Sequence, residues 1–159
     1  MISCDKYPNL CRAIDIFAGK QRLPHPEMKK LDEYGKSITS MIVKPAIVML
    51  RHVFKAQKYA EGGDSERAFE ELEIGTRKMF NEYTQLKNRF TFIASHEGEG
   101  LVNFAINTFS KIPAVVALDT NLGSSIPERN ELIASTLTDG IVGISDYVEK
   151  HIDKLKAII

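Results

Sequence analysis

An all-α fold is predicted from three observations: long segments repeat apolar residues at helical spacing, the breaks between them are short and rich in Gly or Pro, and the composition is globular. Hydrophobic residues make up 43% and charged residues 26% of the 159 residues, and a chain of this length buries roughly 70% of its unfolded surface in one ordinary domain. The expected architecture is an elongated four-helix bundle, antiparallel and up-down, preceded by a short N-terminal helix. Residues 1–159 then form a single domain. Residues 1–25 are its first helix and connector, 26–94 a long helical hairpin, and 99–159 a buried shorter helix plus a long C-terminal one.

The first helix is expected from Pro8 to Phe17, with proline in its first turn and Gly19 near its end. The prolines flanking His25 make an extended connector. From residue 26 to 59, Leu31, Ile38, Ile42, Met49, Val53 and Ala56 keep a helical period. Pro45 lies within this run and removes a backbone hydrogen bond, but the apolar stripe holds its phase across it, which predicts a kink rather than a split.

Residues 61–64, Glu-Gly-Gly-Asp, supply a glycine C-cap and an N-cap at Asp64 or Ser65, so the next helix must return antiparallel. Along that helix, to about residue 94, Phe69, Leu72, Met79, Tyr83, Leu86, Phe90 and Ile93 form a three-four seam broken only by Thr76. The glycines of SHEGEG read as a helix break. Residues 101–118 are apolar on more than one face, as in a helix surrounded by others, and Pro113 should interrupt them. Whether residues 112–119 are helical or extended stays open, because two valines follow the proline. Pro127 opens the last helix, with Leu137, Ile141, Ile144, Val148, Ile152, Leu155 and Ile159 in a near-heptad stripe.

The net charge of zero conceals an asymmetry. Residues 1–94 hold sixteen Lys/Arg against twelve Asp/Glu, and residues 95–159 hold five against nine, so the two parts carry +4 and −4. On an ideal helix over residues 26–61, Lys29, Lys30, Lys36, Lys44, Arg51, Lys55 and Lys58 share one arc of about 120°, away from the apolar stripe. Glu33 is the one acid in that arc. The last helix mirrors it: Glu128, Glu131, Asp139, Asp146, Glu149 and Asp153 lie within about 80° of one another. A solvated surface explains an arc of charge but not its uniform sign. The basic arc, Lys29, Lys36, Lys44, Arg51, Lys55 and Lys58 above all, is therefore the expected partner-binding surface.

Chemistry-bearing patterns are sparse. Arg89 and His96, in RFTFIASH, have six residues between them, a spacing that resembles the Arg-to-His pair of the HEPN ribonucleases, which are also small all-α bundles. Phe90 follows the arginine where that family carries a polar residue. The resemblance implies His96 as acid or base in RNA cleavage and Arg89 as a phosphate-steadying group, in a site shared across a dimer. His96, Glu97 and Glu99 are too few for a metal shell, and no Glu-x-x-His occurs. His52, beside Arg51, fits a packed residue at the edge of the apolar stripe. Cys4 and Cys11 are expected as reduced thiols. No secretory-type h-region and no run of eighteen apolar residues occurs.

The sequence therefore predicts a cytoplasmic, non-enzymatic interaction protein without cofactor, metal or membrane partner. It is expected to self-associate and to offer its basic helix face to a protein partner. The alternative is a nucleic-acid-associated role for the same face, with the HEPN-like ribonuclease as its enzymatic form; against it stand a pI of 6.9 and a single aromatic, Phe54, within the stripe.

Overall fold

The computed structural model describes residues 3–17, 33–92, 96–117 and 125–155, all of it helices and the turns between them. The helices are α1 (Pro8–Phe17), α2 (Glu33–Glu61), α3 (Ser65–Phe92), α4 (His96–Thr108), α5 (Ile112–Val116) and α6 (Ile126–Leu155). A shared core joins them: Leu10 and Ala13 of α1, Ile42, Met49 and Val53 of α2, Leu72 and Met79 of α3, Leu101 and Phe109 around α4, and Ile133, Leu137, Ile141 and Ile144 of α6.

The α2–α3 turn follows from its residues. Gly63 takes φ 82°, a conformation that costs a glycine little. Its N–H donates to Ala60 O and that of Asp64 to Tyr59 O, which satisfies the last carbonyls of α2 in a Schellman arrangement. Asp64 then turns to α3, where its Oδ1 accepts the Arg67 N–H at 3.1 Å. Beyond the turn the two helices run antiparallel, tied by His52 to Glu71, Met49 to Thr76 and the Ile42 carbonyl to Tyr83. The expected seam is present in Leu72, Met79 and Tyr83, with Phe69 and Leu86 partly buried beside it. Phe90 and Ile93 lie outside the described side chains. Thr76 does not break the seam, because its buried hydroxyl donates to Leu72 O within its own helix. Gly75 lets the helices touch: a methyl there would fall 2.6 Å from His52 Cβ and 2.7 Å from Met49 Sδ.

One helix runs through Pro45 without a split. A proline leaves the carbonyl four residues earlier without its helical donor. In the neighbouring turn, Ile42 O receives the Tyr83 hydroxyl at 2.8 Å, so the α3 seam stitches the proline turn.

Three expectations need correction. The two glycines of SHEGEG do not break a helix, since His96–Thr108 is helical through both. Gly100 serves packing instead, for a Cβ there would meet the Tyr147 hydroxyl at 3.1 Å. The apolar segment is interrupted before Pro113, between Thr108 and Ile112, and proline then sits in the first turn of α5, where its missing N–H is harmless. Residues 112–116 are thus helical rather than extended, while 118 and 119 lie outside the described residues.

Cys4 and Cys11 are not free thiols but a disulfide, with Cα atoms 5.6 Å apart. Residues 4–6 form a turn that folds back on α1, with Tyr7 N–H donating to Ser3 O, so the two cysteines meet without sharing a helix. Disulfides persist in oxidising surroundings, so the reduced-thiol argument for a cytoplasmic location falls with the correction. No described helix is long and apolar enough to cross a membrane.

Helix α2 packs on α3 and α6, and α4 packs on the same two. Gln57, near the C-terminal end of α2, accepts from Asn130 at the N-terminal end of α6 at 3.0 Å, so these neighbours run in opposite directions. Helix α4 is likewise antiparallel to α6, with Phe104 stacked on Tyr147 at 4.8 Å and Gly140 packed against Phe109.

Candidate interaction faces

Lys44, Arg51, Lys55 and Lys58 are all exposed on α2. Lys44, Arg51 and Lys58 follow one another at seven-residue steps, which returns each to nearly the same face, and Lys55 flanks them. From Lys44 to Lys58 the row is about 21 Å long. None of the four forms an ion pair among the described residues, where the pairs are His52–Glu71 and Arg67–Asp64. Lys58 Nζ rests 4.7 Å from the centroid of the Phe54 ring, one turn earlier. Lys29 and Lys30 lie outside the described residues, and so does the side chain of Lys36, although α2 carries it.

The acidic arc of α6 divides in two. Glu128 and Glu131 are partly buried and serve the fold. Glu128 closes a capping box, its Oε2 accepting the Ser125 N–H at 3.1 Å while its own N–H donates to Ser125 Oγ at 3.4 Å. Glu131 caps a different helix. Its Oε1 accepts the N–H of Asn9 at 2.9 Å and the Asn9 side-chain amide at 3.0 Å, and its Oε2 accepts the N–H of Leu10 at 2.7 Å. These are orphan donors of the first turn of α1, and a carboxylate also suits the positive end of that helix. Asp139, Asp146, Glu149 and Asp153 are exposed, and no ion pair holds any of them among the described residues. Asp139, Asp146 and Asp153 repeat the seven-residue step of the basic row, over the same number of residues. Helical dihedrals lapse at His151 (φ −113°), just before Asp153.

The residues with catalytic potential are not brought together by what is described. Arg89 lies in the last turn of α3 and His96 opens α4, and the side chains of both fall outside the described residues. His52 is packed as expected: it is 7% exposed and its Nδ1 lies 2.7 Å from Glu71 Oε2. Among the described residues no three His, Cys, Asp or Glu gather as a metal site.

Sequence reasoning missed the buried polar groups along α6. Arg129 is 1% exposed, with Nη1 3.3 Å from Val116 O and its guanidinium carbon 5.9 Å from the Phe69 ring centroid. Its signal was present in the chain, since Arg129 stands four and eight residues before Ile133 and Leu137 and so shares their face. The Gln57–Asn130 bond had no comparable signal, because it joins residues 73 apart.

Comparison of the chain with protein-family models, curated proteins and solved structures finds no significant match.

Proposed function

We propose that this chain is a non-enzymatic helical interaction protein that self-associates through the basic face of α2. One observation carries the reading: four exposed cations stand on one face, and none of them forms an ion pair among the described residues. Like charges so arranged repel one another, and the repulsion is relieved when something negative lies opposite. The same chain offers such a surface in the four unpaired acids of α6. As its platform we propose a single domain in which α2, α3, α4 and α6 form an antiparallel up-down four-helix bundle with α1 attached. The antiparallel pairs described above support that arrangement.

The test reverses Arg51, Lys55 and Lys58 to Glu and measures molecular mass and nucleic-acid binding separately. The expected result is loss of the oligomer, with assembly regained on mixing with a copy in which Asp139, Asp146 and Asp153 are reversed to Lys. Loss of salt-dependent nucleic-acid binding, with mass unchanged, would instead assign the face to a phosphate backbone. A reversal that alters neither property overturns the reading.

A further inference from the structure

Independently of self-association, we propose that the buried guanidinium of Arg129 binds the carboxylate of a small organic acid whose apolar body sits in the cavity between α3 and α5.

Arg129 is 1% exposed, yet it forms no ion pair among the described residues. Its Nη1 donates to Val116 O at 3.3 Å, while Nε and Nη2 are buried with no hydrogen-bond partner among those residues. A guanidinium keeps its charge at any ordinary pH, and burying it with two donors unused is costly. The unused edge has a chemical meaning. Nε and Nη2 stand side by side and direct two N–H groups the same way, a fork that the two oxygens of a carboxylate match. The acids nearest in sequence are engaged elsewhere: Glu128 accepts the Ser125 N–H, and Glu131 accepts the N–H groups of Asn9 and Leu10. Arg129 also lies near the positive end of α6, which favours an anion there.

Two residues beside the guanidinium line a cavity as well. Phe69, whose ring centroid is 5.9 Å from the guanidinium carbon, and Val116 form part of the wall of a cavity of about 300 Å³ that opens to solvent. That is the small end of the range that holds small-molecule ligands. Pro113 and Ala117 extend its apolar wall, and the hydroxyl of Thr76 is already given to Leu72 O. Arg129 stands behind this wall rather than in it, so access to Nε and Nη2 passes the half-buried Phe69 ring. The cavity also carries one charge of each sign, Glu73 and Arg77, so nothing in it favours a dianion such as phosphate. One fork, one charge and apolar walls together select a monocarboxylate.

The probes are benzoate and isovalerate, with neutral benzamide and inorganic phosphate as controls, followed by thermal unfolding and titration calorimetry of the whole chain. A carboxylate at a hundredfold excess over its dissociation constant is expected to raise the midpoint by about 5–10 °C, with benzamide and phosphate inert. The shift is expected to vanish in Arg129→Met and to persist in Arg77→Met, with circular dichroism establishing that each variant is helical. Should Arg129→Met not fold, Arg129→Lys keeps the charge without the fork and is expected to weaken binding about tenfold or more. No response to either carboxylate overturns the proposal, as does an equal response to benzamide or phosphate, or one that survives the loss of Arg129. Asp119→Asn removes the acid that follows α5 in sequence and is expected to leave the shift unchanged. A protein that binds benzoate only after that substitution would make Asp119 the partner of Arg129 and overturn the proposal.

Discussion

The seam between α2 and α3 and the outward faces of α2 and α6 use the same kind of periodicity for opposite ends. Within the seam Met49, Leu72 and Met79 are excluded from water, and the polar groups that enter it are held: Thr76 by Leu72 O, His52 by Glu71, Tyr83 by Ile42 O. On the outward faces Lys44, Arg51 and Lys58 and then Asp139, Asp146 and Asp153 repeat as regularly, yet none forms an ion pair among the described residues. Glu131 shows what an α6 acid does when the fold needs it, for it binds three donors of α1. Periodicity alone therefore does not separate a surface that holds the fold from one that faces solvent. Pairing does so for these two regions: the seam's Thr76, His52 and Tyr83 are held by partners, and the outward charges are left to the solvent.

That contrast can be broken by mutation, most strongly inside the seam. Leu72→Ala removes a fully buried side chain from the α2–α3 contact and is expected to lower stability by about 2–5 kcal/mol, measured by urea unfolding. A loss below 1 kcal/mol would mean that the seam is not closed. Leu86, counted with the seam from its spacing, is only partly buried, so its truncation should have less effect.

Tyr83→Phe sharpens the comparison at smaller scale. It removes the hydroxyl from Ile42 O and is expected to cost about 1 kcal/mol near neutral pH. Burial, and secondarily the charge of Glu82, hold the Tyr83 hydroxyl well above the ordinary tyrosine value near 10. The neutral phenol is therefore the form the fold favours. Its contribution is fully present below pH 10 and is lost progressively as pH rises past the unfolded-state value. Stability of the wild type should fall more steeply above pH 10 than that of Tyr83→Phe, and equal slopes would place the hydroxyl in water.

Much of the fold was legible in the chain because local signals and packing agree. Pro8 opens α1, Gly63 closes α2, and Asp64 starts α3, each for a backbone reason visible in a few residues. Glycine misled where its value was tertiary. In α4 it permits close packing against Tyr147 rather than a turn, and at Gly75 it lets α3 approach α2. The role of Glu131 was hidden by distance, since its targets lie 121 and 122 residues away and a carboxylate in an acidic arc looks like surface. The disulfide was hidden by the turn over residues 4–6, which brings Cys4 back onto α1 in a way no helical spacing expresses. The exposure of Lys44, Arg51, Lys55 and Lys58 was legible, because exposure on a helix follows directly from the position of its apolar stripe.

The central claim is that the open faces close on one another, and the mass of the wild-type protein across salt concentration tests it most directly. Native mass spectrometry in volatile buffer, paired with sedimentation at 0.05 and 1 M salt, would read it. Contacts between exposed charges are screened strongly at 1 M, where the Debye length is about 3 Å. The account predicts an oligomer at low salt, free of nucleic acid, that dissociates to the 17.9 kDa chain at high salt. A chain that stays monomeric at low salt, or an oligomer indifferent to salt, would contradict it.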